Sequence, residues 1–426
     1  MEKPDQSQSR NATAQLMERC VERENMKRAW KRVKENGGSP GVDGMTIEET
    51  EENLKLNWPR ICKELLDGSY KPSPVRKAEI PKPGGGMRQL GIPTATDRLI
   101  QQCILQILQP EWDPTFHKHS YGFRPGKSAH QAVCHAQKLV QEGRRWVVDV
   151  DLEKFFDRVN HDILMDRVMK RVKDERLVKL IRRYLQAGIM DQGVCVNREE
   201  GTPQGGPLSP LLSNLLLDEV DRELEQRGLA FARYADDCNV YVKSKRAAER
   251  AMRTMEKIMG KLKLKINQEK SAVAKPWERK FLGYSLWVGP GKVIKRKVAP
   301  QALKKFKNRV RELTSRTCGK SMEQVVEKLD SYLVGWRNYF QLADTPNVFS
   351  ELDSWIRRRL RMIHLKQWKR GTTAYREMVS RGLSPKAAAS IAATLRSRWK
   401  MAGTSGISIV FPNSYFDELG LSRLRA

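Results

Sequence analysis

The chain has 426 residues, of which 39% are hydrophobic and 30% charged, enough for folded cores in two or three domains. A net charge of +29 and a pI of about 9.9 point to a polyanionic partner, because clustered Lys and Arg gain affinity by releasing counterions from phosphates. The seven cysteines lie far apart with no C-x-x-C pair. That argues against a structural zinc site or a disulfide framework and suits a reducing, cytoplasmic setting.

The N-terminus, MEKPDQSQSRNATAQ, has no signal-peptide apolar core. No apolar run approaches the ~20 residues of a membrane span, so no membrane partner is expected. Positive charge is concentrated toward the C-terminus: residues 295–426 hold 27 Lys+Arg against 10 Asp+Glu, a difference of +17, which leaves +12 for the first 294.

Residues 1–16 read as a disordered N-terminus, and a helical pattern takes over at Leu16 and runs to Lys34. The Gly-rich loop ENGGSPGVDGMT stops it, and a second helical stretch reaches Leu66 before DGSYKPSP breaks it. VRKAEIPKPGGGMRQLGIPT predicts two strands joined at Lys82–Gly86, a basic hairpin with a Gly-rich tip. From Thr96 or Asp97, a plausible N-cap, apolar residues recur at helical spacing. WVVDVDLEKFF is a short strand running into a helix. TPQGGPLSPLLSNLLLDEVDREL is a Gly/Pro turn before a long apolar-faced helix, and FARYADDCNVYV is a hairpin. A helix near 246–263 follows, then short strands near Leu264–Ile266 and Phe281–Trp287. Beyond Lys297 the pattern is helical, with Leu303, Phe306, Val310 and Leu313 on one face and Val325, Leu329, Tyr332 and Trp336 on another.

Strand alternation puts Asp149 and Asp151 on one face and Val148 and Val150 on the opposite, buried face. Asp236 and Asp237 fall at the hairpin turn, where Asp tolerates unusual backbone angles. If the two elements are neighbours in one sheet, three or four carboxylates converge. Like charges about 4 Å apart repel by a few kcal/mol at intermediate dielectric, and divalent cations reverse that sign. Mg²⁺ takes one or two carboxylates together with substrate phosphates, and a pair of such ions supports in-line phosphoryl transfer. Taken alone, Asp-Asp at a turn is equally well read as turn chemistry. The six histidines lack any metal-ligand arrangement with the cysteines.

The blocks around these aspartates carry a family resemblance. YADD at 234–237 resembles the Y-x-D-D box of reverse transcriptases, DLEKFFD at 151–157 their earlier metal-binding segment, and GTPQGGPLSPLLSN at 201–214 their P-Q-G block. The hairpin segment, HSYGFRPGKSAHQAV and KFLGY add matches. LVGWRNYF and SWIRRRLRMIHLKQWKR resemble the maturase-specific region of group II intron proteins. The resemblance implies that Asp151, Asp236 and Asp237 are catalytic and, with the Leu152 carbonyl, bind two Mg²⁺ ions, for which Mn²⁺ could substitute. Phe156 would be the gate beneath the incoming sugar, and Lys82, Arg88 and Gln204 would bind the dNTP. GGSPGVDGM resembles the family's N-terminal extension loop, with a plain Gly-rich connector as the alternative.

The implied fold is α+β, a right-hand polymerase. An N-terminal extension (17–67) precedes fingers and an antiparallel palm sheet with helices (68–295). An all-helical thumb or maturase-specific region (296–370) and a short basic DNA-binding module (371–426) follow. Arg357, Arg358, Arg359, Arg361, Lys366, Lys369 and Arg370 are the expected nucleic-acid contacts, while tryptophans interleaved with them read as core or snorkelling residues. No Cys/His-rich endonuclease is expected, since the last cysteine is Cys318, so priming would use a nascent or pre-existing 3′ end. The implied function is an RNA-directed DNA polymerase of a bacterial group II intron, with maturase and retromobility roles, in the cytoplasm or nucleoid. Its partners would be intron RNA, an RNA template, a DNA primer or target and dNTPs, with a homodimer as an option. A splicing cofactor with an incidental polymerase site, or a domesticated reverse transcriptase in phage defence or DNA repair, are the alternative readings.

Overall fold

The computed structural model describes residues 15–81, 86–191, 194–196, 200–315 and 319–425. It divides into two compact units, 1–275 and 276–426, with the division twenty residues before the expected palm–thumb boundary. Among the described residues no helix is long and apolar enough to cross a membrane.

The first unit holds two four-stranded sheets. In one, β1 (Val75–Pro81) pairs antiparallel with β2 (Met87–Ile92), as the basic hairpin predicts. The other edge of β1 pairs in parallel with β4 (Ile189–Asp191), which continues into β5 (Val194–Val196). Lys77 on β1 reaches Asp191 on β4 at 2.8 Å and fastens that pairing. Three-residue strands are too short to show a period, and β4 and β5 leave no sequence signal.

The second sheet has the order β6-β7-β3-β8, with β3 (Trp146–Val150), β6 (Ala230–Tyr234), β7 (Asp237–Val242) and β8 (Ala272–Ala274) all antiparallel to their neighbours. Val148 and Val150 of β3, with Cys238 and Val240 of β7, are buried at 1% exposure or less and join the core of the unit. Helices Ser209–Gln226 and Lys245–Lys261 supply Leu212, Leu216, Val220, Ala251 and Met255 to the same core. The predicted strand at Leu264–Ile266 reduces to one bridge, Leu152 with Ile266.

Helix Leu16–Val21 buries Leu16 and Met17 at 1%, so Leu16 belongs to the fold and not to a disordered leader. The backbone amide of Met17 donates to Asp174 at 2.9 Å. Residues 1–14 of the expected disordered segment lie outside the described residues, as does Lys82.

The second unit opens with the hairpin of β9 (Tyr284–Val288) and β10 (Ile294–Val298). Helices Pro300–Leu313, Met322–Phe340 and Pro346–Gln367 follow. Their core is aromatic: Trp336 lies 4.3 Å from Phe306 and 4.7 Å from Phe340, centroid to centroid. Residues beyond 370 fold onto this same body. His364 stacks on Phe411 at 4.2 Å, and the backbone amides of Leu424 and Arg425 donate to the buried Asp353.

Candidate active site

The register of β3 with β7 runs from Trp146↔Val242 to Val150↔Cys238. Continued by one residue, it sets Asp151 opposite Asp237. Asp149 faces Asn239, and period-2 alternation keeps Asp149, Asp151, Asp237 and Asn239 on the same, polar face of the sheet. The hairpin of β6 and β7 closes with Tyr234 paired to Asp237, which leaves Ala235 and Asp236 as its two-residue loop.

The left-handed backbone angle falls on Ala235 (φ 57°) and on neither aspartate. The expectation that Asp stands here for its tolerance of unusual backbone angles is therefore corrected: the turn does not ask that of either aspartate. A primed turn wants glycine at its first central position, so Ala235 is held there against its preference.

The holding group is Arg233. Its guanidinium, 1% exposed, donates to both oxygens of the fully buried Asp221 at 2.6 and 2.7 Å. It also donates to Asn214 Oδ1 at 3.1 Å and to the Ala235 carbonyl at 2.9 Å. From the other side Gly122 approaches so closely that a Cβ on it would lie 2.3 Å from the Ala235 nitrogen. Asn214 Nδ2 donates to the Gly122 carbonyl at 2.9 Å.

Burial pushes the Asp236 carboxyl above the usual carboxylate range, and the neighbouring Asp151 charge adds to that push, while Arg88 and Arg233 oppose it. Asp151 itself is exposed at the end of β3. Its backbone is fastened on both sides, with its amide donating to Ser271 Oγ at 3.0 Å and its carbonyl accepting from Asn267 N at 2.8 Å. The bonds flanking Leu152 and Ile266 run through their neighbours, including Glu153 N to Lys265 O at 2.8 Å. The Leu152 carbonyl is therefore not used by that pairing.

Among the described residues no three His, Cys, Asp or Glu side chains form a group that could hold a metal ion. The expected convergence of three or four carboxylates is thus not a preformed cage. With its nitrogen turned toward it, the buried Asn239 amide donates to Asp149 Oδ1 at 2.9 Å.

A cleft of about 580 Å³ opens in the first unit, and Arg88, Phe156 and Gln204 all line it. Arg88 Nε donates to Gln204 Oε1 at 2.6 Å. The turn that carries Gln204 is set by Gly205 (φ 133°), where a Cβ would meet the Gly91 carbonyl of β2 at 2.7 Å. Gly91 N donates to the Gln204 carbonyl at 3.0 Å. Phe156 is half-buried and meets the buried Phe155 edge-on at 5.1 Å. Gly37 and Gly38 of the N-terminal loop line the cleft too, and Arg98 donates to the carbonyls of Gly37 and Ser39 at 2.9 and 3.1 Å.

Comparison with known proteins agrees with this geometry. Residues 80–286 match the family model described as reverse transcriptase (RNA-dependent DNA polymerase), and residues 303–382 match the group II intron maturase-specific domain. Protein YkfC of Escherichia coli is 35% identical over 274 residues, covering 55% of this chain and 72% of that protein. The group II intron-encoded protein LtrA of Lactococcus lactis is 39% identical over 185 residues, covering 43% of this chain and 30% of LtrA. A putative COX1/OXI3 intron 1 protein of Saccharomyces cerevisiae is 32% identical over 198 residues, covering 46% of this chain and 24% of that protein.

The chain belongs to the group II intron reverse transcriptase/maturase family.

A chain of a solved partial Cas6-RT-Cas1–Cas2 complex is 24% identical with a TM-score of 0.38, covering 57% of this chain and 42% of that one. Within the reverse transcriptase unit, sequence reasoning missed Arg233, Asp221 and Asn214. Their signal was present: Asn214, Asp218 and Asp221 recur at helical spacing on a leucine-rich helix, a polar stripe where an apolar one is normal. All three are buried.

In the maturase-specific region the arginine run departs from expectation. Arg357 is 3% exposed and donates to Asp417 at 2.7 Å, and Arg361 is 8% exposed and donates to the Phe411 carbonyl at 2.8 Å. Arg358 reaches the Trp399 carbonyl at 2.9 Å and lies 4.3 Å over its ring. Arg359 donates to Thr314 Oγ1 at 2.6 Å. Arg357 and Arg361 are buried and bonded within the protein, so they do not face a nucleic-acid backbone. Lys369 and Arg370 are exposed and Lys366 is half-buried.

Proposed function

We propose that the chain extends a primer 3′ end on an RNA template with dNTPs, using Asp151, Asp236 and Asp237 as catalytic carboxylates. The observation that carries this reading is the cleft shared by Arg88, Phe156 and Gln204, and the Arg88 charge opposes the upward push of burial on the Asp236 carboxyl.

The donor set fits divalent magnesium. Asp151, Asp236, Asp237 and the Leu152 carbonyl offer hard oxygen ligands, and a cation offsets the burial and the like charge that raise the Asp236 carboxyl. Two Mg²⁺ ions, or Mn²⁺ in their place, would be held by these groups together with substrate phosphates, which is how Mg²⁺ sites are usually completed. Bound there, they would supply activation of the primer hydroxyl and charge neutralisation on the leaving pyrophosphate.

The chain's own residues bind and orient. Arg88, preset by Gln204, presents its planar donors to the triphosphate. Lys82, which follows β1 in the sequence, is proposed from the family resemblance as a second cation for that role. Phe156 presents its ring beneath the sugar and disfavours a 2′ hydroxyl sterically. The same protein is proposed to grip its intron RNA as a maturase, with Lys366, Lys369 and Arg370 contributing to the basic surface, and to serve intron mobility into DNA.

The test is primer extension by the full chain on an RNA template with Mg²⁺. Wild type should extend the primer, and Asp236→Ala should abolish extension while the melting temperature is retained. Failure of the wild type to extend on any template would refute the reading, and undiminished extension by the variant would refute the carboxylate assignment.

A further inference from the structure

Phe123 sits in HSYGFRPGKS with φ 57° and half its surface exposed. Either property alone is unfavourable. A bulky aromatic residue in the left-handed region is a genuine outlier, and an exposed phenyl ring forgoes the burial that ordinarily stabilises it. Glycine, which adopts such angles freely, stands next door at 122, so the chain has placed a strained ring where a small residue would fit more easily.

The loop cannot relax to bury that ring, because buried groups pin both flanks. On one side Tyr121 N donates to the Arg233 carbonyl at 2.9 Å, and Gly122 is wedged against Ala235. On the other, Arg124 is 9% exposed and donates to Asp113 at 2.8 Å and to the carbonyls of His117 and Ser120 at 2.7 and 3.0 Å. The ring therefore projects by construction. It lies 6.3 Å from the ring of Tyr234, the first residue of YADD, and lines the cleft that also holds Arg88, Phe156 and Gln204.

We propose that Phe123 is a stacking platform for a nucleobase held in this cleft. The inference rests on the polymerase reading, since it takes a nucleotide to enter there. An uncharged, rigid, apolar face complements a flat heterocycle and offers nothing to a phosphate. Base–aromatic stacking is tolerant of sequence because every base has a π-face, as a copying site requires. The base is either that of the incoming nucleotide or one of the primer–template, and the chemistry is the same for both.

The experiment compares purified wild type, Phe123→Ala and Phe123→Trp. It measures the KM for dNTP, the Kd for a primer–RNA template duplex, and the emission of 2-aminopurine placed at the templating position without dNTP. Phe123→Ala should raise the KM or the Kd by roughly tenfold, a typical value for losing one aromatic–base stack. Phe123→Trp should restore it, and the melting temperature of Phe123→Ala should stay close to that of wild type, because the ring is half exposed and alanine keeps the same Cβ at the same backbone angle. A raised KM assigns the incoming base, whereas a raised Kd with brighter 2-aminopurine assigns the template. Unchanged KM, Kd and emission in Phe123→Ala, or losses that track a lowered melting temperature and are not restored by Trp, overturn the proposal. Should wild type itself fail to extend primers, the polymerase reading falls, and the binding and emission measurements still decide whether Phe123 stacks.

Discussion

Arg233 and Asp221 form a two-pronged ion pair in which neither side chain is more than 1% exposed. The pair lies directly beneath the turn that carries Asp236, and the third prong of the guanidinium holds the Ala235 carbonyl. Breaking a buried pair from one side strands the remaining charge and costs about 3–5 kcal/mol. Asp221→Asn should therefore lower the unfolding free energy by an amount of that order in a urea titration. Arg233→Lys retains the charge and loses the fork, so it should lower kcat for primer extension more than it lowers stability. Wild-type stability in Asp221→Asn would contradict the burial argument.

Phe156 occupies the cleft beside Arg88 and Gln204 with its ring braced edge-on by Phe155. If it stands beneath the sugar, removing it opens space for a 2′ hydroxyl. Phe156→Ala should narrow the preference for dNTP over rNTP, measured as the ratio of kcat/KM values, by roughly tenfold or more. An unaltered ratio removes the gate role and leaves Phe156 as packing.

A pH effect is expected at the back of the same turn. His119 stacks on His135 at 4.0 Å and meets His117 at 5.0 Å. Burial, then the neighbouring His135, His117 and Lys118, bring His119 down to about 4, with Glu225 opposing, and burial also lowers His135. In the unfolded chain histidine titrates near 6.5, so the unfolded state binds the extra proton first as pH falls. The stability contributed by neutral His119 is complete above about 6.5 and is lost as pH drops toward 4. Urea midpoints at pH 7.5 and pH 5 should differ less in His119→Gln than in wild type; an identical difference in both would exclude His119 as a source.

Much of this site is legible in the sequence, for reasons that differ by residue. The alternation in WVVDVD and the tight FARYADDCNVYV hairpin fix local geometry, so the faces of Asp149, Asp151 and Asp237 follow from the period of a strand alone. That β3 and β7 are neighbours is a tertiary fact, as is the parallel pairing of β1 with β4 more than a hundred residues away, and no local pattern encodes either. The turn differs in detail because propensity assigns unusual angles to Asp, whereas Arg233 and Gly122 impose them on Ala235. Lys82 lies outside the described residues, so its proposed place by the triphosphate rests on the hairpin pattern and the family resemblance.

The same limit explains the arginine run, and it supplies a contrast to measure. A row of three arginines reads as a phosphate-binding face until its counter-charges are located, and the one that Arg357 donates to, Asp417, is sixty residues away. Arg357 is also 3.6 Å from Asp353, which in turn accepts from the amides of Leu424 and Arg425. Removing Arg357 would leave Asp417 with Arg423 and Asp353 with those amides, so the loss should be nearer the worth of one charged hydrogen bond, about 2 kcal/mol, than that of a wholly stranded charge. Arg357→Gln should accordingly lower stability by about that much and leave the salt dependence of RNA binding unchanged. Lys369→Gln with Arg370→Gln should do the reverse. Both side chains are exposed, so stability should hold while RNA affinity falls, and the slope of log K against log salt should shrink by about 1 for each phosphate no longer neutralised. Fluorescence anisotropy across a salt series, run beside urea melts of the same variants, separates the two outcomes; a reduced slope in Arg357→Gln would place that arginine on the nucleic acid after all.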